Sequence, residues 1–418
     1  MSRKKLTIGL FGFGVVGEGI YQVLQQTPSL DAEIKKICIK QADKKRNGDP
    51  DLFTTDYHEI LNDPDINLVV ELIDDADEAY KIVTTALKNK KSVVSANKKL
   101  VAEHLAELIF LQQEHQVSFL YEAAVCGSIP IIRNLEEYYD NDLLQCITGI
   151  VNGSTNYILT KMAEGNTYAE SLQEAQRLGF AESNPALDVE GRDATNKLTI
   201  LLAHAYGLIT HPDTLLHKGI TRLHAEDANY ATEKGYRVKL VAQATKLSGG
   251  KVAAFVFPKF VKADNQLFIV NNEFNGVILE SKLADKQFLY GKGAGRFPTS
   301  SAVVSDISAL RYDYRYEYKK LKWQEQLSLA TDYYLQVYVS FNEWSGVNKW
   351  DFEQVVTAHS SEGRQYITGL IHFNKLRNAN WYNDPAVSIV LLPTGIVQKE
   401  ELVRRSLKQV SLQLAGVN

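Results

Sequence analysis

A glycine-rich loop near the N-terminus constrains the fold more than any other feature of the sequence. The apolar run at residues 5–11 leads straight into Gly-Phe-Gly-Val-Val-Gly at residues 12–17, and an amphipathic segment follows. Directly after a strand and before a helix, this pattern is typical of a βαβ unit that binds a dinucleotide. Gly12 would permit the tight turn, Gly14 the approach of a pyrophosphate, and Gly17 close packing of helix on strand. The alternative is a glycine turn without a ligand.

Strand-like and helix-like segments alternate through the first 130 residues. Apolar runs typical of buried strands, each followed by a polar or helical stretch, lie at residues 33–40, 67–73, 91–96 and 117–125. Amphipathic segments between them include residues 78–91 and 103–116. This alternation predicts a parallel, doubly wound α/β sheet of Rossmann type. We assign residues 1–130 to a dinucleotide-binding domain, and we expect residues 295–325 to complete it.

The remaining chain is long enough for further domains, because 418 residues correspond to two or three domains of about 150 residues each. Residues 131–330 mix helical segments with strand-like runs such as 250–261 and 276–280, which predicts a second α/β domain. Residues 331–418 carry three strand-like runs and an aromatic bias, so we expect a small C-terminal α+β domain.

Composition excludes several classes of protein. The formal net charge is -4, from 46 basic and 50 acidic residues, whereas a nucleic-acid binder usually has a basic excess. The alternating stretch RYDYRYEYKK, residues 311–320, is therefore interpreted as a half-buried strand or helix end and not as an RNA surface. Three cysteines without CxxC spacing indicate a reduced, cytoplasmic protein without a zinc cluster. No run reaches the roughly 18 apolar residues of a membrane span.

The turn after the second predicted strand bears on the choice of cofactor. An NAD site usually has Asp or Glu at this point, to bind the ribose 2′-OH. Here the strand ends Cys38-Ile39-Lys40-Gln41, and the basic residues Lys44, Lys45 and Arg46 follow. A basic cluster suits a 2′-phosphate, so the sequence favours NADP and leaves NAD as the alternative. The competing interpretation is a solvated turn.

A cluster of charged residues lies in the stretch 175–197, AQRLGFAESNPALDVEGRDATNK. Asp193 and Lys197 are four residues apart and share one face of a helix. Alone they would be a surface ion pair, but Asn-Pro and Gly191 form a constrained loop, and two further carboxylates, Glu182 and Asp188, are close in sequence. A lysine among carboxylates in a cleft is a proton-transfer candidate.

This stretch resembles the signature of homoserine dehydrogenases. The spacing of Ala, Gly, Asn-Pro, Asp-Val, Gly, Asp and Lys is met at every constrained position. Further segments resemble the family in the family's order, over roughly residues 5 to 310: SANKKL at 95–100, YEAAVCGSIP at 121–130, VNGSTNYIL at 151–159, GITRLHAEDANYA at 219–231 and GKGAGRFPTSSAVVSD at 291–306. The resemblance implies reversible, NAD(P)H-dependent reduction of L-aspartate 4-semialdehyde to L-homoserine, in threonine and methionine biosynthesis. It also implies that residues 131–330 form the substrate-binding, catalytic and dimerisation domain.

The resemblance assigns roles to individual residues. Lys197 is the candidate proton donor, Lys98 is a second lysine that reaches the reacting end of the substrate, and Asp193 orients Lys197 and the substrate. Which lysine delivers the proton stays open. Glu182 and Asp188 would bind the substrate's amino group. The predicted cofactor contacts are Gly12, Phe13, Gly14, Val15, Val16, Gly17, Lys40, Ser95, Lys98 and Gly293.

The segment from Glu122 to Ile129 resembles a family loop that binds a monovalent cation, Na⁺ or K⁺. The ligands would be the Glu122 carboxylate and the main-chain carbonyls of Val125, Gly127 and Ile129, and carbonyl oxygens suit a hard cation. The alternative is an ordinary strand-to-helix turn. The strand that ends Ile73-Asp74-Asp75 departs from the glycine pair common in the family, which puts negative charge near the cofactor.

The C-terminal residues 331–418 match the family less well. Many relatives end in a ligand-sensing ACT domain, a βαββαβ unit, but the stretch after residue 341 lacks a clear turn into a helix. We therefore expect a diverged ACT-like domain that packs against the body or a partner subunit and does not respond strongly to threonine. The resemblance also implies a homodimer or homotetramer that acts on a small molecule, with neither nucleic acid nor membrane as a partner.

Two rival functions remain. An aspartate-semialdehyde dehydrogenase would need a cysteine nucleophile with a base nearby, and Cys126 is the only cysteine near a strand end at the predicted active edge. A regulator that only senses the cofactor would need neither Lys98 nor Lys197. Full activity in Cys126→Ala would exclude the first rival, and a spectrophotometric assay with homoserine separates all three functions.

Overall fold

The chain folds around two β-sheets, which share the helices packed between them. A computed structural model describes residues 4–141, 143–323, 325–361 and 364–402. The end of the predicted C-terminal domain, residues 403–418, lies outside the described residues. Among the described residues, no helix has both the length and the apolar character needed to span a bilayer.

The first sheet is parallel and has the strand order β3-β2-β1-β4-β5-β6. Its strands are β1 (Leu6–Phe11), β2 (Ala32–Cys38), β3 (Phe53–Thr54), β4 (Leu68–Glu71), β5 (Ser92–Ser95) and β6 (Phe119–Leu120). The helices of this part are α1 (Val15–Gln26), α2 (His58–Leu61), α3 (Ala76–Lys88) and α4 (Lys98–His115). This is the doubly wound order with its switch point between β1 and β4, where dinucleotides bind.

The predicted Rossmann-type sheet is confirmed, with two differences in detail. The pattern did not predict β3, because a two-residue strand is too short to show periodicity. The run 117–125 contributes only the two residues of β6, and a 3-10 turn, Glu122–Ala124, replaces the rest of the expected strand.

The second sheet is mixed and has the order β12-β11-β7-β9-β10-β17-β14-β16-β15, with β8 and β13 paired to β10. The strands before residue 330 are β7 (Leu144–Ile150), β8 (Leu216–His217), β9 (Tyr236–Leu247), β10 (Lys251–Lys262), β11 (Phe274–Ser281), β12 (Asp285–Lys292) and β13 (Ser328–Leu329). The helices are α5 (Ile131–Glu137), α6 (Gly153–Ala163), α7 (Tyr168–Arg177), α8 (Ala186–Val189), α9 (Arg192–Tyr206), α10 (Ala225–Glu233) and α11 (Arg296–Leu310). Helix α9 is buried along almost its whole length and contacts α4 as well as β9 and β10.

Helix α11 returns to the first part of the chain and packs on α1. The Ser300 hydroxyl donates to the main-chain oxygen of Val16, and Arg296 forms an ion pair of 3.0 Å with Glu18. The expectation that residues 295–325 complete the cofactor domain stays a prediction. The tyrosine-rich stretch 311–320 that follows is neither strand nor α-helix: it runs as turn and coil into a short 3-10 turn, with Tyr316 and Tyr318 buried.

The C-terminal strands extend the second sheet and do not form a sheet of their own. They are β14 (Tyr334–Phe341), β15 (Phe352–Ser361), β16 (Arg364–His372) and β17 (Ser388–Val397), with α12 (Phe373–Asn378) before the last. The chain order is strand, 3-10 turns, strand, strand, short helix, strand, so the first helix of a βαββαβ unit is reduced to 3-10 turns. Strand β17 pairs with β10, and the aromatic residues Phe255 and Phe257 of β10 share one apolar core with Leu335 and Val337. The ACT-like character of this part stays a prediction.

Candidate active site

The glycine loop after β1 has the geometry that a bound pyrophosphate requires. Gly12 has a φ of +91°, and an added Cβ would lie 2.7 Å from the Leu72 oxygen. A Cβ on Gly17 would lie 2.2 Å from the Gly12 oxygen, so only glycine lets α1 pack this closely on the loop. No protein atom lies within 4 Å of a Cβ built on Gly14, where α1 begins. The loop therefore combines a tight turn with open space at the helix N-terminus, which suits a phosphate anion.

The basic turn after β2 lies against this loop. The Phe13 ring packs on the Phe53 ring with centroids 5.1 Å apart, and the Arg46 guanidinium lies 6.0 Å over that second ring. The Asn47 side chain donates to Glu18 of α1, which holds the turn in place. Lys40 is exposed two residues beyond β2. Val15 is 59 % exposed beside the open space at Gly14.

Ser95, a predicted cofactor contact, lies at the end of β5 with its side chain fully buried. Its hydroxyl donates to Glu71 at 2.5 Å, and the Ile73 amide donates to the other oxygen of the same carboxylate. Burial raises the pKa of Glu71 to about 7. The Ser95 hydroxyl is thus held by Glu71, and a contact of Ser95 with the cofactor would be through its main chain. Asp75, one of the carboxylates after this edge of the sheet, caps α3 by accepting from the Asp77 and Glu78 amides.

Asp193 brings together two lysines that are far apart in sequence. The Lys197 ammonium lies 2.7 Å from one carboxylate oxygen of Asp193, and the Lys98 ammonium lies 2.9 Å from the other. Asp193 is 2 % exposed, Lys197 10 % and Lys98 44 %. Asp193 lies in the first turn of α9, where the helix dipole favours an anion, and Lys98 is the first residue of α4, where the dipole disfavours a cation. The Asp193 carboxylate therefore stabilises the charge of Lys98, which the dipole of α4 disfavours.

Asp193 and Lys98 each favour the charged form of the other. Burial alone would raise the pKa of Asp193, but Lys197 and Lys98 hold it well below its ordinary value. The Asp193 carboxylate raises the pKa of Lys98 against the opposing effect of burial, and Asp188 and Glu182 raise it further. Both ammonium groups thus face a buried carboxylate that stays charged at neutral pH, and Lys98 lies on the solvent side of it.

Asn152 links the cluster, although the sequence analysis did not single it out. It is the N-cap of α6, and its amide nitrogen donates to Asp188 at 2.7 Å and to Asp193 at 2.8 Å. Burial and the charge of Asp193 raise the pKa of Asp188. The sequence Asn-Gly-Ser-Thr after a strand is typical of a helix N-cap and could have identified Asn152 as one. Only the tertiary structure shows that its side-chain amide donates to two carboxylates.

The donors of the two lysines differ in how many are free for a ligand. An ammonium has three N–H donors. Lys197 uses one on Asp193 and one on the Val151 oxygen at 2.7 Å, which leaves one. Lys98 uses one on Asp193, and the structure gives it no other hydrogen bond within the described residues. Glu182 lies on the exposed side of the same group and contributes through charge, without a direct side-chain contact among the described residues.

The predicted cation loop is a tight turn beside the same cluster. Cys126 and Gly127 both have positive φ, +59° and +54°. Both oxygens of the buried Glu122 carboxylate accept from main-chain amides of α5, those of Ile132 and Arg133. The Ile129 oxygen accepts from the Ile131 amide at 2.8 Å.

Two buried carboxyl groups, those of Glu122 and Asp306, lie near one guanidinium beside this turn. Asp306 accepts from the Glu122 amide and pairs with the Arg133 guanidinium at 2.6 Å. Burial, followed by the charge of Asp306, raises the pKa of Glu122 to about 8. A bound cation would favour the charged form of Glu122, and carboxylate and carbonyl oxygens are the ligands that a hard cation prefers.

Gly293, another predicted cofactor contact, lies between this turn and a buried asparagine. A Cβ on Gly293 would lie 2.1 Å from the Asn275 amide nitrogen, and a Cβ on Gly127 would lie 2.5 Å from the Gly293 oxygen. Asn275 is fully buried, and its side-chain amide has no hydrogen-bond partner among the described residues. The sequence analysis missed Asn275, because a single asparagine at the start of a predicted strand gives no pattern.

Cys126 is not an activated nucleophile. It is 1 % exposed, and burial raises the pKa of its thiol to about 12. A reactive cysteine needs a lowered pKa and access to substrate. The geometry therefore argues against the rival that depends on a cysteine.

Comparisons of the sequence with protein families identify relatives over most of the chain. A family model described as "Homoserine dehydrogenase, NAD binding domain" matches residues 12–122, and one described as "Homoserine dehydrogenase" matches residues 130–308. A homoserine dehydrogenase of Bacillus subtilis is 34 % identical over 375 residues, 86 % of this chain and 86 % of the relative. One of Synechocystis is 39 % identical over 311 residues, 72 % of each chain.

Solved structures resemble the fold as well. A homoserine dehydrogenase from Thiobacillus denitrificans has a TM-score of 0.82 at 29 % identity, over 94 % of this chain and 99 % of that one. A hyperthermophilic archaeal homoserine dehydrogenase in complex with NADPH has a TM-score of 0.64 at 28 % identity, over 75 % of this chain and 99 % of that one. The similarity thus spans the glycine loop, the Asp193 cluster and the second sheet.

Proposed function

The chain belongs to the homoserine dehydrogenase family, and from that premise we propose how its residues carry the reaction. It is an NAD(P)-dependent oxidoreductase of amino-acid biosynthesis that interconverts L-homoserine and L-aspartate 4-semialdehyde. The observation that carries the proposal is the pair of ammonium groups, Lys98 and Lys197, on the two oxygens of Asp193.

Lys197 transfers the proton and Lys98 stabilises charge. When bound, the reduced nicotinamide would supply the hydride that the aldehyde carbon requires. Lys197, which keeps a free N–H, would donate a proton to the aldehyde oxygen, and Lys98 would stabilise the negative charge that develops there. Asp193 contacts both lysines and raises the pKa of Lys98.

Asp188 and Glu182 bind the ammonium group of the substrate. Asp188 is half-buried and held by Asn152, which fixes its carboxylate next to the lysines without neutralising it. Glu182 is exposed at the outer side, where it completes a negatively charged rim. The substrate would then bind in one orientation only, because its aldehyde would lie near the two lysines and its ammonium group near the two acids.

The cofactor is NADP, with NAD as the poorer alternative. Gly12, Gly14 and Gly17 form the cradle for the pyrophosphate, and Lys40 with the basic turn 44–46 receives the 2′-phosphate. The packing of Arg46 over Phe53, and of Phe53 on Phe13, supports this, because it brings the basic turn to the glycine loop.

Two further properties belong to the same proposal. Glu122 and the carbonyls of Val125, Gly127 and Ile129 hold a monovalent cation, and the two buried carboxyl groups near Arg133 support it. The enzyme acts as a homodimer or homotetramer through residues 131–330, and the C-terminal strands form a diverged ACT-like unit with little response to threonine.

A spectrophotometric assay with L-homoserine tests the proposal. We expect the absorbance of the reduced nicotinamide to rise with NADP and, more slowly, with NAD. Equal or faster oxidation with NAD would contradict the cofactor assignment alone. Cys126→Ala should keep its turnover, because the buried thiol takes no part in the chemistry.

A further inference from the structure

A cavity of about 290 Å³ lies between the C-terminal strands and the segment after β8. Its lining includes Lys218, Arg222, Asn383 and Ser388, and it includes none of the residues of the Asp193 cluster. The cavity contains the start of the segment 219–231, whose resemblance to the family assigns no role to its side chains.

Two cations in this cavity have only neutral partners. The Lys218 ammonium donates to the main-chain oxygen of Tyr382 and, at 3.1 Å, to the side-chain oxygen of Asn383. The Arg222 guanidinium donates to the same Tyr382 oxygen at 3.2 Å and to the Asp384 main-chain oxygen at 3.1 Å. Over the described ranges, no carboxylate forms an ion pair with either group.

The surroundings disfavour the charged form of the lysine. Burial, and then the charge of Arg222, lowers the pKa of Lys218 to about 7. Two like charges that share one carbonyl repel each other, and a bound anion would favour the charged form of Lys218.

An unpaired hydroxyl adds a third donor. Ser388 lines the cavity, is 1 % exposed, and its hydroxyl has no hydrogen-bond partner within the described part of the chain. Buried polar groups are nearly always paired, so an unpaired hydroxyl beside two uncompensated cations indicates a missing acceptor.

We propose that this cavity binds a small, singly charged carboxylate, held by Arg222 and Lys218 with the Ser388 hydroxyl as a further donor. Guanidinium and ammonium donors match a carboxylate, and the volume is near the lower limit of small-molecule sites. Glu190 also lines the cavity, and its charge disfavours an anion with two or more charges.

The cavity wall is in main-chain contact with the segment that carries Asp188. The Ile220 amide donates to the Val189 oxygen at 2.8 Å, and a Cβ on Gly219 would lie 2.0 Å from that oxygen. The turn in contact with the cavity wall is thus the one that leads from Asp188 into α9.

Thermal unfolding of the full chain tests the proposal, with L-lactate as the probe because it carries one carboxylate and one hydroxyl. Potassium L-lactate replaces potassium chloride at constant ionic strength, and the shift of the unfolding midpoint gives the affinity. We expect lactate to stabilise the wild type. Arg222→Gln keeps an amide donor, and Lys218→Met keeps an unbranched side chain of similar length without the ammonium group that lies over the Tyr382 ring. Each variant should bind lactate about tenfold more weakly or worse.

Controls separate this cavity from the active site. Lys98→Gln, which alters the Asp193 cluster, should keep the full response to lactate. Absence of stabilisation in the wild type, an undiminished response in both cavity variants, or loss of the response in Lys98→Gln would each overturn the proposal. Inorganic phosphate is the second probe: stabilisation by phosphate that equals or exceeds that by lactate, and that is lost in Arg222→Gln and Lys218→Met, would overturn the assignment to a carboxylate.

Discussion

At the scale of single residues, the central fact is that one buried carboxylate serves two lysines. Lys197 reaches Asp193 within one helix turn, and Lys98 reaches it from the start of another helix. Each lysine is therefore positioned by the same group, so that removal of either one changes the charge balance seen by the other.

Replacement of either lysine should abolish most of the turnover. We expect Lys197→Ala and Lys98→Ala each to reduce kcat by about a hundredfold or more, the usual cost of losing an acid or an electrostatic stabiliser. The dissociation constant for NADPH should change little in Lys197→Ala. The matched control is Lys99→Ala, because Lys99 is the exposed neighbour of Lys98 and pairs only weakly, at 4.0 Å, with Glu103. Near wild-type turnover in a variant would refute the role of that lysine.

Glu71 should make stability depend on pH. Its folded pKa of about 7 lies above its ordinary value of 4.5. The folded state therefore holds a proton that the unfolded state releases, and the associated stability is present below about pH 4.5 and lost as the pH rises through about 7. In Glu71→Gln the unfolding free energy should fall less between pH 5 and 8, by on the order of 2 kcal/mol. Urea titrations at several pH values measure the unfolding free energy. Glu226→Gln, at an exposed position, should show the same change of unfolding free energy with pH as the wild type. The same change in Glu71→Gln would contradict the role of Glu71.

At the scale of elements, the glycines of the loop between β1 and α1 serve two different purposes, since one is needed for folding and another for binding of the cofactor. Gly17 is required by the packing of the helix on the loop, whereas the space beside Gly14 is open. Gly14 and Gly17 belong to one motif, but different physical constraints require glycine at the two positions.

This difference predicts opposite outcomes for two alanine variants. Gly14→Ala should unfold at the wild-type temperature without cofactor, because its methyl group meets no protein atom within 4 Å, yet bind NADPH at least about tenfold more weakly. Gly17→Ala should lose about 1 to 3 kcal/mol of stability, because its methyl group overlaps the Gly12 oxygen. Thermal unfolding and fluorescence titration with NADPH distinguish the two. Tight binding of NADPH by Gly14→Ala would place the pyrophosphate elsewhere.

At the scale of the whole molecule, the C-terminal strands and the strands before residue 330 form one sheet over a common core. The β10 aromatic residues are buried against residues of β14, and the Tyr382 hydroxyl donates to the His217 oxygen at 2.7 Å. A truncation near residue 330 would expose this core, so the C-terminal part is tested with point variants of the full chain.

A substitution at the shared core should destabilise the protein as one unit. Phe257 is fully buried in this core, and Phe257→Ala should cost about 3 to 5 kcal/mol, in a transition that also releases the C-terminal strands. Val356→Ala, on the exposed face of β15, should change stability by less than about 0.5 kcal/mol. Urea unfolding followed by tryptophan fluorescence tests this, since Trp344 and Trp381 both belong to the C-terminal part. Unfolding of the C-terminal part in a separate, earlier transition would contradict a common core.

The sequence alone determined those features that depend on local periodicity and on spacing within one element. The glycine loop with its flanking strand and helix predicted the parallel sheet, and the four-residue spacing of Asp193 and Lys197 predicted one arm of the site. The roles of most site residues, including Lys98, were predicted from the resemblance to the family.

Only the tertiary structure decided which distant groups meet. Lys98 and Asp193 approach each other because α4 packs on α9, Asn152 joins two acids from the end of β7, and β17 pairs with β10 in the same sheet. Local pattern tells which face of an element is buried, but a contact between elements depends on how the whole chain closes around its core. For that reason the second sheet, the Asn152 bridge and the unpaired amide of Asn275 could not be derived from the sequence.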